Sequence, residues 1–255
     1  MSDLHLEFFD SFDQALTEVK DITYIIENPP HDPEAVLVLA GDIGWPVRSR
    51  KDKNHNDVYT QFLKTMRQIF KYVVVVAGNH EYYPRIGILE TDEVLHVIAR
   101  DADVIFLQRE TWTHPSSGVV FAGCTLWTKI TGNAVSEMND RKYVYSSQQY
   151  ALALHKRDRK WIKDTLQNSA GPIIMVTHHP PSFQCLADQY VGQVGVDFTG
   201  YATNLEKHLV PPVLKWICGH THCTKSVAVN KSFIIMNGTG YDGDNSETNP
   251  GPYQL

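Results

Sequence analysis

No apolar run in this chain approaches the roughly 18 residues that a membrane-spanning helix needs. The opening segment, Met1-Ser2-Asp3-Leu4-His5, has no basic region leading into an apolar core, so no secretory signal is indicated. Basic residues are the minority: 23 Lys and Arg against 29 Asp and Glu leave a net charge of −6. That balance supplies no cationic footprint for stable nucleic-acid binding, although a small nucleotide remains admissible as substrate if a metal supplies the positive charge. The four cysteines (Cys124, Cys185, Cys218 and Cys223) show no regular spacing and no CxxC. Free thiols in a reducing cytosol are therefore expected, and with them a cytoplasmic protein. No GxSxG elbow is present and no cysteine stands convincingly ahead of a helix, which argues against a serine or cysteine hydrolase. There is neither a repeat nor a linker, and 255 residues is the upper range of one domain, here expected to span 1–255.

What is present is a series of continuous apolar runs of strand length, the pattern of parallel strands buried on both faces. They fall at 35–40, 72–77, 172–177 and 213–217, with shorter runs at 104–107 and 119–124. Apolar residues at three- and four-residue intervals predict helices over 8–27, 58–70, 90–99 and 148–166. A hairpin is expected from 226–229 and 233–236 around Asn230-Lys231. The stretches 45–57, 125–145 and 182–204 and the tail from 238 are polar or Gly-rich and read as loops. Fold class is thus α/β.

Four of the runs end in polar clusters: Gly41-Asp42, Gly78-Asn79-His80-Glu81, His178-His179 and Gly219-His220-Thr221-His222. A fifth cluster, Asp3-Leu4-His5, opens the chain. Each alone has a plainer reading, as a turn, a helix cap or a histidine bonded to a carbonyl. Together they place oxygen and nitrogen donors at the carboxyl ends of the strands, where α/β sheets build their sites. His220 and His222 can turn toward one point if Thr221 turns away. A pair of cations clamping the attacking and leaving oxygens of a displacement needs a bridging carboxylate and ligands divided between the ions. Mixed imidazole and carboxylate donors suit Mn, Fe, Zn or Ni, with Mn the expected ion, whereas Mg prefers oxygen alone. Cys218 and Cys223 flank the two histidines and read as packing.

In order and in residue type, these five motifs resemble those of the calcineurin-like metallophosphoesterases. The resemblance implies a four-layer α/β/β/α sandwich, two mixed sheets flanked by helices, with a dinuclear centre between the inner ends of the sheets. It implies that Asp3, His5 and His222 bind the first metal, that Asp42 bridges, and that Asn79, His178 and His220 bind the second. It assigns to His80 contact with the substrate phosphate and protonation of the leaving oxygen, and to a metal-bridging hydroxide the attack on phosphorus. The implied activity is hydrolysis of a phosphomonoester or phosphodiester, with a small metabolite or nucleotide favoured. The rival is a noncatalytic metal-binding scaffold on the same fold. Glu81 stands where many relatives carry Asp and is expected to accept hydrogen bonds behind the ligands. His179 competes with His178 for one position; His178 is two residues before the Pro, as in the family, which leaves His179 to support it or to face substrate. Arg141 or Lys142 could pair with a phosphate, and Trp45, Tyr82, Tyr83 and Arg85 could frame a pocket and stack on a base. Tyr241 and Asp242 are expected nearby. The family carries a buried strand ahead of Asp-x-His, and only Met1 and Ser2 precede Asp3. Either the start lies upstream or that strand is nearly absent; in the second case the first metal is expected to bind more weakly than the second.

Overall fold

The computed structural model describes residues 1–48, 57–130, 138–188, 198–241 and 244. Parts of each expected loop, most of the tail and Asp242 lie outside the described residues. The first sheet is parallel, in the order β1 (Val36–Ala40), β2 (Tyr72–Val76), β3 (Ile105–Phe106). The second is mixed, with six strands. Its edge strand β4 (Glu110–Thr113) runs antiparallel to β5 (Val120–Cys124). Then β6 (Ile173–Thr177), β7 (Val213–Cys218) and β9 (Ser232–Asn237) follow in parallel, and β8 (Thr224–Val229) closes the far edge antiparallel to β9.

Because alternate side chains leave a strand on opposite faces, each apolar run supplies two cores. Val38, Ala40, Val74 and Val76 from the first sheet meet Phe121, Ile174 and Val176 from the second, forming the layer between the sheets. The alternate positions Leu37, Leu39, Val73 and Val75 face the helix α3 (Asp57–Ile69), which buries Phe62 and Met66. On the outer face of the second sheet, Ala122, Met175 and Trp216 pack with Ile162 of α6 (Gln148–Asn168). Helices therefore cover both outer faces, and the four layers are those the resemblance implies.

Three local differences from expectation have simple causes. The helix expected over 8–27 is a 3-10 turn at Leu6–Phe8 followed by α1 (Phe12–Glu18) and α2 (Lys20–Glu27), broken at Val19. Ala15, Val19, Ile22 and Ile25 are all buried, so the apolar stripe runs through the break without marking it. The strand β4 offers one apolar residue, Trp112, too few for a period to show. The short helix α5 (Asn139–Tyr143) is polar and only 5 residues long, beneath the reach of a helical period. Between α3 and α5 lies α4 (Ile88–Ala102), which leads into β3.

The first residues occupy the seam between the sheets. Ser2 makes a parallel bridge to Gly238. Toward the first sheet, Met1 N donates to Val38 O (3.1 Å) and Met1 O accepts from Ala40 N (2.9 Å). Toward the second, Ser2 N donates to Asn237 O (3.1 Å) and Ser2 O accepts from Thr239 N (3.1 Å). Met1 and Ser2 thus tie the segment that carries Asp3 to both sheets. No helix among the described residues is long and apolar enough to cross a membrane.

Candidate metal centre

The clusters converge at the carboxyl ends of the strands. Asp3, His5 and His222 offer ligand atoms within 4.8 Å of one another, as do Asp42, His178 and His220, and also His5, Asp42 and His80. Asp42 occurs in two of these groups, so its carboxylate faces both halves of the centre. The site is held in strained backbone. Asp3, His5, Asp42, His220 and His222 all have positive φ, between 45° and 72°. Such conformations cost of order 1–3 kcal/mol per non-glycine residue and persist only where the surroundings enforce them. Asp3 N bonds Gly41 O (3.0 Å), His5 N bonds Asp42 O (3.1 Å), and both Asp3 carboxylate oxygens accept from His220 N (3.0 and 3.1 Å). Glycines make room for the carboxylates: a Cβ on Gly78 would lie 2.2 Å from Asp42 Oδ1, and one on Gly41 2.6 Å from His178 Nδ1.

Glu81 ties the loop after β1 to the loop after β2. It is fully buried. Its Oε2 accepts from Asp42 N (3.1 Å) and Gly78 N (2.7 Å), and its Oε1 from Ile43 N (2.8 Å) and Gly44 N (3.3 Å).

Four imidazoles share one orientation, with Nδ1 engaged behind and Nε2 turned to the centre, which fixes a metal-ready tautomer. His178 Nδ1 donates to Ala40 O (2.9 Å), His5 Nδ1 to Glu7 Oε1 (3.2 Å) and His222 Nδ1 to Asp244 Oδ2 (2.6 Å). His80 follows the same rule through Glu7 Oε1 (2.7 Å). His178 Nε2 faces Asp42 Oδ2 (3.2 Å) and Asn79 Oδ1 (2.9 Å).

Two features show that these donors fit cations. His220 Nε2 is buried without a hydrogen-bond partner. His5 Nε2 and His222 Nε2 lie 3.1 Å apart. With both Nδ1 atoms donating to carboxylates, two lone pairs confront each other there, an arrangement a shared cation would relieve.

A sequence profile of the calcineurin-like phosphoesterases matches residues 1–224. The chain belongs to that family. A protein of Acanthamoeba polyphaga mimivirus, uncharacterised, is 29% identical over 283 aligned residues, covering 99% of this chain and 94% of that one. Among solved structures, phosphopantetheinyl hydrolase from Mycobacterium tuberculosis superposes with a TM-score of 0.66 at 15% identity, over 96% of this chain and 89% of that one. A putative 5'-nucleotidase from Staphylococcus aureus gives 0.55 at 14%, over 94% of this chain and 48% of the other. At these identities the two structures speak for the fold alone, and the family assignment makes the chain a phosphoesterase by kinship.

Charge is sharply partitioned within this family site. Burial opposes ionisation of Asp42, but His178 and His80 outweigh it and hold the carboxyl well below its usual range. Burial likewise opposes a charge on His80, yet Asp42 and Glu7 raise it to about 9. Both carboxylates thus favour the imidazolium form of His80. Burial, then the charge of His178, push His179 down to about 3, and burial with both neighbouring histidines also lowers His220. Burial and Asp42 push Glu81 up to about 7. Its two oxygens nevertheless face only N–H donors, so the loops are built around the carboxylate form.

Other candidate residues take different places. His179 donates from Nδ1 to Thr125 O (3.2 Å) and stays outside the ligand groups, its ring 4.2 Å from that of His220. Arg141 does not join the centre: it lines a hollow of about 490 Å³ with Tyr145, Ser147 and Gln148. Tyr82 is spent inside the core on Asp92 (2.6 Å), and Arg85 lies over the Tyr143 ring (4.8 Å). The sequence reading assigned no role to Glu7, Asp140 or Asp244. Asp140 Oδ1 accepts from Asn79 Nδ2 (2.9 Å) and Tyr83 OH (2.7 Å), which turns Asn79 Oδ1 toward His178. Glu7 had a faint signal in its spacing, two residues beyond His5; Asp140, in the short polar helix α5, and Asp244, in the polar tail, had none.

Proposed function

We propose that this protein is a metal-dependent phosphohydrolase that cleaves a phosphomonoester or phosphodiester of a small metabolite or nucleotide in the cytosol, with no stable nucleic-acid partner. The observation that carries the reading is the placement of His80, hung from Glu7 by Nδ1 and grouped with His5 and Asp42 within 4.8 Å. A scaffold has no use for a proton donor placed beside its ligands.

Asp3, His5 and His222 would hold one divalent ion and Asn79, His178 and His220 a second, with Asp42 between them; Mn is the favoured ion. Such ions supply Lewis acidity and a lowered water pKa when bound. The protein residues do the rest. Glu7 fixes the tautomer of His80, and His80 Nε2 donates its proton to the departing oxygen as the phosphorus–oxygen bond breaks. Asp140 and Tyr83 keep the amide of Asn79 oriented with oxygen inward.

The test is hydrolysis of bis(p-nitrophenyl) phosphate and p-nitrophenyl phosphate by stripped protein with Mn restored, beside His80→Ala. Mn-dependent turnover that drops by about 10²–10⁴ in the variant is expected. The rate ratio of the two esters separates diesterase from monoesterase. Stoichiometric metal binding with no cleavage of either ester would favour the scaffold.

A further inference from the structure

Beside His80 lies an aromatic ledge that packs on the imidazoles of the centre with one side and faces solvent with the other. Phe8 is 64% exposed and Tyr241 42%, although both rings sit against the centre. Tyr241 stacks on His5 (centroids 4.5 Å, 30° between planes), and Phe8 meets Tyr241 edge-on at 5.8 Å. The Tyr241 hydroxyl lies 3.3 Å from His80 Nε2, the ring nitrogen not engaged by Glu7. We propose that Phe8 and Tyr241 form the leaving-group subsite, and that they select a planar, uncharged aromatic leaving group, a nucleoside or an aryl alcohol.

The inference rests on the phosphohydrolase reading, because His80 marks the leaving-group side only if it protonates the departing oxygen. Exposed aromatic rings cost hydration, and two of them at the mouth of a polar centre invite a ring to stack. Charge points the same way. The nearby charges are acidic: Glu7 precedes Phe8, Asp10 follows two residues on, and Asp244 bonds the Tyr241 backbone (3.1 Å). The cations Arg85 and Lys142 instead flank Tyr143 at 4.8 and 4.9 Å, beyond Tyr83. A leaving group bearing its own phosphate would meet carboxylates on this ledge.

The experiment uses the metal-loaded full chain, with Phe8→Ala to delete the ring and Phe8→Tyr to restore it. Calorimetry measures binding of adenosine, p-nitrophenol and glycerol, and kinetics compares adenosine 5'-monophosphate, p-nitrophenyl phosphate and glycerol 3-phosphate. Stacking on an aromatic side chain predicts a loss of about tenfold or more in affinity and in kcat/KM for the ring-bearing compounds in Phe8→Ala. Phe8→Tyr recovers both, and the glycerol compounds change little in either variant. Adenosine and p-nitrophenol divide the two sources of the ring, and loss for either one supports the ledge. Phe233→Ala, a half-exposed ring at the start of β9, changes nothing. Equal losses for all three esters in Phe8→Ala, or no binding of adenosine or p-nitrophenol by the unaltered protein, would overturn the ledge while leaving hydrolysis intact. If the unaltered protein binds the ring compounds but cleaves no ester, the hydrolase reading falls, and the leaving-group assignment falls with it.

Discussion

Glu81→Gln is the sharpest probe of how the centre is built, because two effects of opposite sign meet at one side chain. Burial and Asp42 raise the carboxyl to about 7, above its ordinary unfolded value near 4.5. Ionising it therefore costs folding stability as pH rises from the unfolded value through the folded one, and a neutral Gln would relieve that cost at pH 7.5. Against this stand the four backbone donors, two on each oxygen. A Gln amide has one oxygen. Whichever way it turns, its NH₂ confronts either Asp42 N and Gly78 N or Ile43 N and Gly44 N, leaving two buried donors without acceptors. Each orphan costs about 1–3 kcal/mol. Two orphans cost about 2–6 kcal/mol against about 3 kcal/mol relieved, so the geometric loss wins by up to about 3 kcal/mol. For a domain of this size that lowers the melting temperature by up to roughly 10 °C. Thermal unfolding of stripped and Mn-saturated protein reads the shift, and metal titration reads the expected loss of affinity, since the loosened loop carries Asp42. A variant that melts as high as the parent, or higher, would show Glu81 protonated in the native protein and refute the reasoning.

Gly78→Ala pushes a methyl to 2.2 Å from Asp42 Oδ1, so metal affinity should fall at least about tenfold while circular dichroism stays native. Asp140→Asn lets the Asn79 amide flip; calorimetric titration should show metal binding weakened by about 10- to 100-fold, and Tyr83→Phe should do less. Removing metal should lower stability by mass action, about 2.7 kcal/mol for each site held at 100 times its Kd, seen as a melting shift reversed by Mn.

The layers and the convergence of the candidate ligands could be read in the sequence because both are written locally. Parallel strands buried on two faces must be apolar throughout, as Val73 to Val76 are, and each ligand follows its strand within a few residues. What could not be read depends on contacts made far along the chain. Glu7 acquires its role from His80, 73 residues on, and Asp140 from Asn79, 61 residues back. The break at Val19 hides under an unbroken apolar stripe, and the edge strand β4 shows too little apolar surface to have a period. Tyr82 was placed near the site by adjacency, but one residue of rotation in the 3-10 turn His80–Tyr82 sends it into the core.

The centre also measures alignment within the fold. Asp42 and Asn79 ride on the first sheet, and His178, His220 and His222 on the second. The apolar layer, the segment Met1 to Asp3 and the His178–Ala40 hydrogen bond also join those sheets at this end. Sliding one sheet past the other by a single residue, about 3.3 Å, would carry half the donors out of reach of the rest. Ions held there would act as rivets through two stacked plates, resisting shear and seating only when the holes line up.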